Sequence, residues 1–203
     1  MALEPEHVVE TIQMVTQDHL DIRTITLGLN LRSCVHEDIN VMAQRVYDRL
    51  TMAAEKLVPT AEQLEREYGI PIIHKRIAVT PIAEICGATK AEDLTPIAIA
   101  LDNASKEVGV NFVGGFTALV QKGASDSDRR LIDSIPHALS VTDNVCSSVN
   151  VGSTRAGINM DAVLRMAQVV RECAEVTADR DSIACAKLVI FCNMVQDNPF
   201  MAG

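Results

Sequence analysis

The chain has 203 residues, of which 48% are hydrophobic and 22% charged, a composition typical of a globular protein with a sizeable core. Its formal net charge of −9 argues against a general nucleic-acid-binding surface. No apolar run approaches the ~18 residues that a membrane-spanning helix needs, and the acidic amino terminus does not have the pattern of a secretory signal.

The first elements in chain order are a helix, a strand and a longer helix. Apolar residues at helical spacing predict the first helix over residues 4–18. Alternating side chains predict a first strand over residues 22–29. The longer helix is predicted over residues 38–57, and Pro59 is expected to end it.

A shorter helix and a second strand follow. Thr60 and Gln63 have the spacing of a capping box, which predicts a helix that begins there. The second strand is predicted over residues 72–79. Because alternate side chains of a strand share a face, His74 and Arg76 are expected on the same side of the sheet.

Two Thr-Pro pairs indicate further helix starts, since a cap followed by a first-turn proline is typical there. Thr80-Pro81 predicts a short helix, and Thr95-Pro96 predicts a longer one that ends at Val108. The third strand is predicted over residues 110–120. Gly114-Gly115 interrupts it, which predicts a bulge or a close approach by other backbone.

The carboxyl-terminal part continues the alternation. A helix is predicted over residues 126–139, with Pro136 breaking or restarting it. A fourth strand is predicted over residues 145–149, and a helix over residues 160–176 follows. The buried face of that helix is predicted to comprise Val163, Met166, Ala167, Val170, Cys173 and Ala174. The almost continuous apolar run of residues 187–195 predicts a fifth strand buried on both faces.

Five strands separated mostly by helices predict an α/β fold with mostly parallel strands. The polar residues are densest around the fourth strand. The predicted binding residues of this stretch are Ser147, Ser148, Asn150, Ser153 and Thr154. With the following helix amino terminus, capped by Asn159, such a stretch can present backbone N–H groups to an anion. The alternative is that caps and tight turns alone require these residues.

Cys146 is the candidate catalytic residue, as a nucleophile or an acid. A nucleophilic thiolate needs a base or a positive neighbour, for which Arg76, Lys122, His74 and His137 are candidates. The alternative is a buried structural cysteine.

Three further residues complete the predicted binding set. Arg76 and Lys122 can neutralise a carboxylate or phosphate, and surface solvation is the alternative for both. Asn193 interrupts the apolar fifth strand, so its amide must either brace a loop or face a cavity.

The six cysteines are widely spaced and include no Cys-x-x-Cys pair. This spacing predicts reduced thiols in a cytoplasmic protein rather than a zinc site or a disulfide framework. No cluster of His, Asp or Glu has metal-ligand spacing, so no metal is predicted, and the sequence indicates no particular cofactor.

Several stretches resemble one known family. They are DIRTIT, GIPIIHKRIAVTPI, VNFVGGFTALVQKG, DSIPHALSVTDNVCSSVN, VCSSVNVGSTRAGINM and AKLVIFCNMVQDNPFMAG. On these stretches, which span nearly the whole chain from Asp21 onward, the sequence resembles an uncharacterised bacterial and archaeal family, domain of unknown function 711 or uncharacterised protein family 0210. The resemblance indicates a family without an established activity.

The resemblance implies a ten-stranded α/β barrel like that of pyruvate-formate-lyase-type glycyl radical enzymes, made of two five-stranded parallel halves. Family members are about twice this length. Residues 1–203 are therefore expected to be a single α/β domain, the amino-terminal fragment of such a protein, with five strands forming one half of the barrel. A half-barrel leaves strand edges uncovered, which predicts a missing partner segment or a homo-oligomer.

Two functional hypotheses from different classes follow. In the first, the protein is an enzyme that acts on a small anionic metabolite bound at the polar stretch. In the second, it is a non-catalytic metabolite-binding or regulatory protein. Family members are often encoded beside a small ACT-domain protein, which makes such a protein an expected partner and suggests a link to amino-acid metabolism. Radical chemistry is not predicted, because neither a glycyl-radical loop nor a cysteine on a finger hairpin is found in the sequence.

Overall fold

The computed structural model describes residues 5–18 and 23–195. The helices are α1 (Pro5–Thr16), α2 (Ile39–Ala54), α3 (Leu57–Tyr68), α4 (Ile82–Ile85), α5 (Thr95–Val108), α6 (Asp126–Val141), α7 (Met160–Val176) and α8 (Ile183–Ala186). The strands are β1 (Thr24–Leu29), β2 (His74–Val79), β3 (Phe112–Leu119), β4 (Val145–Ser153), β5 (Gly157–Ile158) and β6 (Leu188–Cys192).

Five of the strands form a parallel sheet in the order β1-β2-β3-β4-β6. The sixth, β5, is a two-residue antiparallel return onto the end of β4. The strand order in the sheet is thus the strand order in the chain. The predicted α/β class, with mostly parallel strands alternating with helices, is confirmed.

The strand residues that pack against helices all lie on one face of the sheet, which we call the helix face. A right-handed crossover that always steps in the same direction places every connecting helix on the same side. A doubly wound sheet reverses direction and has helices on both sides. The described residues therefore form a sheet wound in one direction with its helices on one side, and the ten-stranded barrel remains an expectation for the longer family members.

The core lies between the helix face and the helices. Its largest fully buried side chains include Phe116 of β3, Leu31 after β1, and Met42 and Leu50 of α2. Ile97, Ala100, Leu101 and Ala104 of α5 are buried as their spacing predicts. The packing of aliphatic side chains around one buried phenylalanine is consistent with a sequence that contains 3% aromatic residues.

Two of the predicted helix boundaries were wrong. Helix α2 ends at Ala54, and α3 starts at Leu57 without the predicted capping box at Thr60. Pro59 lies in the first turn of α3, where its missing N–H would have had no helical partner in any case. The predicted end of the shorter helix is nearly right, because Gly69 caps α3 with a left-handed φ of 69°.

Two further predictions based on proline and threonine were wrong. Thr80 does not cap α4, because its Oγ1 accepts a hydrogen bond from the Leu31 N–H at 3.2 Å. This bond joins the ends of β1 and β2. Helix α6 continues through Pro136 without a break. The burial of Leu131, Ile135 and Leu139 around the proline stabilises the helix against the loss of one backbone hydrogen bond.

The predicted bulge in the third strand is confirmed. The register between β3 and β4 shifts between Gly114 and Phe116. Gly115 has a φ of 119°, and a Cβ there would lie 2.6 Å from the Val79 carbonyl oxygen. Only glycine fits both the conformation and the close approach. The extra residue turns Phe116 toward the helices.

The last strands differ from their predictions. Strand β4 runs to Ser153, so the predicted polar loop is mostly strand, followed by the β5 return. Strand β6 is shorter than predicted and is not buried on both faces, since Ile190 is 41% exposed. Helix α7 begins at the predicted cap, because the Asn159 side chain accepts from the Ala162 N–H.

Candidate functional site

The sheet face opposite the helices, which we call the inner face, has a different composition from the helix face. Its positions follow from strand alternation and register. They are Thr24, Thr26 and Gly28 of β1, His74, Arg76 and Ala78 of β2, Phe112, Gly114, Thr117 and Leu119 of β3, Cys146, Ser148, Asn150 and Gly152 of β4, and Val189 and Phe191 of β6. Within the described part of the chain, none of these residues belongs to the apolar core.

Arg76 provides a positive charge on this face. Its register partner on β3 is Phe112, and the guanidinium carbon lies 5.4 Å from the centroid of the Phe112 ring. This cation–π contact holds the guanidinium against the sheet. Arg76 Nε is buried without a hydrogen-bond partner, and the ion pairs found among the described residues do not include this arginine.

His74 lies two residues before Arg76 on the same face. Its ring centroid is 5.6 Å from that of Phe112, and its Nδ1 is also buried without a partner. Three buried side-chain nitrogens lack partners in the described residues, and two of them belong to this pair. Buried polar atoms are normally satisfied, so their concentration here makes this pair the centre of the candidate site.

Cys146 lies on the inner face level with Ala78 and Gly114, two strands away from Arg76. Burial raises the pKa of the Cys146 thiol, and the positive charges of Lys187 and Arg76 partly offset this rise. The net shift is upward, so the thiol is protonated at neutral pH. Cys146 and Arg76, one of its four candidate partners, thus lie on one face of the sheet, but this placement does not by itself produce a thiolate nucleophile.

The remaining polar side chains of β4 are mostly engaged with neighbouring strands. Ser148 Oγ and Thr117 Oγ1 form a buried hydrogen bond of 2.7 Å on the inner face. Ser147 lies on the helix face instead, where its Oγ donates to the Phe116 carbonyl at 2.7 Å. Asn150, in the orientation that satisfies its amide, donates to the Phe191 carbonyl at 3.1 Å and so connects β4 to β6.

The other predicted binding residues lie at the carboxyl edge of the sheet. Ser153 Oγ accepts from the Ala156 N–H at 3.0 Å within the β4–β5 turn. Asn193 Oδ1 accepts from the Thr154 N–H at 3.0 Å, so this amide braces the turn. Lys122 is exposed in the connection between β3 and α6.

The structure therefore divides the predicted site in two. Arg76 and Cys146 lie in the amino-terminal half of the inner face, whereas Asn193 follows the end of β6. Cys146 and Gly152 are six residues apart on β4, which corresponds to ~20 Å of strand. The two groups cannot contact the same small molecule unless it is long.

Lys187 was not predicted as a member of any site. It precedes β6, is 7% exposed, and donates through Nζ to the carbonyls of Leu139 at 2.7 Å and of Thr142. Burial lowers the pKa of Lys187. Because its amine satisfies carbonyls at the end of α6, its role is structural, although its charge acts on Cys146.

His74 was predicted only as a candidate partner of Cys146, and strand alternation placed it beside Arg76. Phe112 was not predicted as a site residue, and it gave no signal, because an aromatic residue at the start of a strand is ordinary in a core.

Three half-open clefts lie elsewhere, against the helices. Two cavities of about 710 Å³ adjoin Arg129 near the start of α6, one beside Lys90 and the other beside Arg165. A smaller one of about 340 Å³ lies between α3 and β1 beside Tyr68. On the inner face, the central residues Thr117, Ser148 and Asn150 are buried, whereas Arg76 and Cys146 are half-buried. Two of the three buried side-chain nitrogens that lack partners in the described residues are on this face, and they make it the candidate site.

Among the described residues, no group of three or more His, Cys, Asp or Glu side chains is placed to hold a metal ion. None of the helices described is both long enough and apolar enough to cross a bilayer.

Comparison with known proteins gives the family. Residues 13–203 match the family model described as uncharacterised ACR (DUF711). The chain belongs to this family. The UPF0210 protein of Desulforamulus reducens is 61% identical to the chain over 196 residues, which are 97% of this chain and 43% of that relative.

Two further UPF0210 proteins match over the full chain. That of Syntrophotalea carbinolica is 56% identical over 203 residues, 100% of this chain and 45% of the relative. That of Methanosarcina mazei is 53% identical over 203 residues, with the same coverage of 100% and 45%. The chain thus spans a little less than half the length of these DUF711 relatives.

Proposed function

We propose that this DUF711 protein binds a small anionic metabolite on the inner face of its sheet, with Arg76 as the charged contact. The observation that carries the proposal is the partly buried guanidinium that has no carboxylate partner among the described residues. Burying such a charge without a counter-charge is costly, and an anionic ligand would remove that cost.

The composition of the inner face supports a ligand rather than a packed layer. A sheet face that packs against another layer is apolar. This face instead has threonine, histidine, arginine, cysteine, serine and asparagine side chains from four neighbouring strands. A polar, weakly charged lining of this kind suits a solvated cavity.

A carboxylate fits Arg76 better than a phosphate does. A guanidinium that contacts an aromatic ring can still offer its N–H fork for bidentate binding of a planar carboxylate. Phosphate sites commonly use the positive ends of helices. Helix starts such as that of α6 follow the carboxyl ends of strands, whereas Arg76 lies in the amino-terminal half of β2.

The raised pKa of Cys146 favours the non-catalytic form of the proposal. A protonated thiol can contact a ligand but is a poor nucleophile, and an anionic ligand nearby would raise its pKa further. The protein then senses or carries a metabolite linked to amino-acid metabolism, with an ACT-domain protein as a partner. The enzymatic form requires that Cys146 loses its proton when the substrate binds.

The other predicted binding residues have secondary roles in this proposal. Ser148 and Asn150 extend the polar strip from Cys146 along β4. Lys122, Ser153, Thr154 and Asn193 would meet only the far end of an extended ligand. The six cysteines are all unpaired, which supports a reducing compartment such as the cytoplasm.

The test compares wild type with Arg76→Gln and with Lys122→Gln, which removes an exposed positive charge instead. Small molecules released by denaturing each purified protein are identified by mass spectrometry, and succinate and inorganic phosphate are titrated against thermal stability. We expect a released carboxylate and stabilisation by succinate in wild type and Lys122→Gln, and at least about a tenfold loss of both in Arg76→Gln.

Equal amounts of ligand in Arg76→Gln and wild type would contradict the proposal. Cys146→Ala separates its two forms. Retained affinity with retained biological activity supports the non-catalytic form, and retained affinity with loss of turnover supports the enzyme.

A further inference from the structure

Helix α7 has more apolar surface than the described residues bury. The side chains that it buries are Ala162, Met166, Val169 and Cys173. Val163 and Val170 are 36% and 37% exposed, and Ala167 between them is also exposed. Spacings of four and three residues place these three side chains in one stripe, which we call the outer flank.

The outer flank points away from α6. Arg165 is on the other side of the buried stripe, and its Nε donates to Asp133 Oδ1 of α6 at 2.9 Å. With 3.6 residues per turn, Arg165 and Val170 lie on opposite sides of Met166. One side of α7 therefore contacts α6, and the buried stripe faces the sheet. On the opposite side, α8 reaches only the carboxyl-terminal part of α7, where Cys185 Sγ donates to the Val170 carbonyl at 3.5 Å, and the side chains of Val163, Ala167 and Val170 stay exposed.

The outer flank lies where the next helix of the layer belongs. Strands follow one another across the sheet in chain order, and the helices lie on one face. A right-handed crossover after β6 that kept this direction would place a helix beside α7, on the side away from α6. Ile190, on the helix face of β6, is 41% exposed, and a helix at that position would pack on its side chain.

Family members are long enough to supply such a helix. The match to the Desulforamulus reducens relative covers 97% of this chain but only 43% of the relative. More than half of that protein thus lies outside the matched part. We propose that a helix following β6, from this additional part of the family's chain, packs on the outer flank of α7 and on Ile190.

This proposal is independent of the ligand proposed above. It also explains why the hydrophobic pattern of α7 predicts Val163, Ala167 and Val170 as buried. The pattern describes the surface that the longer protein buries, and the described residues cover only part of it.

The test uses this chain and a full-length chimera, in which the chain replaces the matched part of the Desulforamulus reducens relative. Val170→Asp is made in both, and Leu164→Asp is the matched control. Leu164 is 65% exposed and lies further round α7, away from the outer flank. In the chain alone, we expect both variants to change the Tm by less than about 2 °C.

In the chimera, Val170→Asp is expected to lower the Tm by at least about 5 °C, because a carboxylate would be buried between helices, while Leu164→Asp stays within about 2 °C. Equal Tm values for the two chimera variants would overturn the proposal. It would also be overturned if Val170→Asp destabilised the chain alone as strongly as the chimera, because the flank would then already be packed.

Hydroxyl-radical footprinting of the unsubstituted proteins gives a second readout that does not depend on a variant folding. Oxidation of Val163 and Val170 is expected to fall at least about fivefold from the chain to the chimera, while that of Leu164 is unchanged, because only packing by another element removes the flank from solvent. Unchanged oxidation of the valines would overturn the proposal.

The oligomeric state of the chain alone gives a third outcome. If the chain forms a dimer that Val170→Asp dissociates and Leu164→Asp does not, the outer flank binds a second copy, and the proposal is overturned too.

Discussion

Strand β3 has one phenylalanine on each face of the sheet, and their surroundings differ. Phe116 faces the helices and is 0% exposed. Phe112 faces the other way, is half-buried, and contacts Arg76 and His74. The same residue type thus fills the core on one face and supports a cationic group on the other.

The comparison extends to the whole sheet. The helix face is mostly apolar from β1 to β4, with Ser147 as a polar exception, and joins the helices into one core. The inner face mixes small and polar side chains with a few large apolar ones such as Phe112 and Phe191, and two of its nitrogens are buried without partners in the described residues. The first face forms the core of the fold, and the second has the residues of the proposed site. This division can be tested by matched substitutions on the two faces.

The largest contrast is expected between the two phenylalanines. Phe116→Ala should cost about 3–5 kcal/mol of unfolding free energy, because it leaves a cavity in a closed core. Phe112→Ala should cost about 1 kcal/mol, because the half-buried ring loses less contact. Urea unfolding followed by circular dichroism measures both. Equal losses would mean that the inner face is packed as tightly as the helix face.

The bulge that turns Phe116 toward the helices should be nearly as sensitive. Gly115→Ala places a Cβ 2.3 Å from Val79 Cγ2 in a backbone conformation that disfavours side chains. We expect a loss of about 2–4 kcal/mol in the same unfolding experiment. Gly87→Ala is the control, since a Cβ there meets nothing within 4 Å. A stable Gly115→Ala protein would show that β3 can shift its register.

The buried hydroxyl pair on the inner face should have a smaller effect. Thr117→Val leaves the Ser148 hydroxyl buried without its partner and should cost about 1–2 kcal/mol. Adding Ser148→Ala removes the orphaned group, so the double variant should be no less stable than Thr117→Val alone. A double-mutant cycle from urea unfolding gives the coupling. Additive losses would indicate that water reaches the pair.

The smallest effect concerns the reactivity of Cys146. Burial raises the pKa of its thiol above the ordinary value, so less thiolate is present at pH 8 than in an exposed cysteine. Alkylation by iodoacetamide at pH 8 should be at least about tenfold slower at Cys146 than at the exposed Cys192, and should speed up as the pH rises. Peptide mass spectrometry follows each site.

A variant tests the cause of that shift. Arg76→Gln removes one of the positive charges that lower the pKa of Cys146, so alkylation of Cys146 should become slower still. If Cys146 in wild type reacts as fast as Cys192, the thiol is activated in a way that the inner face does not account for, and the enzymatic form of the proposed function gains support.

Much of the fold could be predicted from the sequence, because hydrophobic periodicity follows from burial. The five parallel strands, the Gly114-Gly115 bulge and the Asn159 cap were all readable from local patterns. The starts of α3 and α4 were not, because tertiary contacts decided them. Thr80 binds the Leu31 N–H across two strands, and no local pattern includes a partner 49 residues away.

The site was less predictable than the fold. His74 and Arg76 could be placed on one face because strand alternation sets the direction of side chains within a strand. The separation of Cys146 from Asn193 could not be predicted, since Asn150, Gly152 and Ser153 favour loops by themselves but continue β4 in the sheet. That Arg76 has no carboxylate partner among the described residues depends on every neighbouring element, so only the structure could reveal it.

The strand order has a consequence for biosynthesis. Each parallel strand pairs with the preceding parallel strand, so every newly translated strand meets an edge that its predecessor has just formed. The ribosome can therefore extend the sheet from β1 to β6 without waiting for distant residues. At each stage the most recently translated strand has an unpaired edge on the growing side of the sheet. Translation then supplies the next strand, which pairs with that edge.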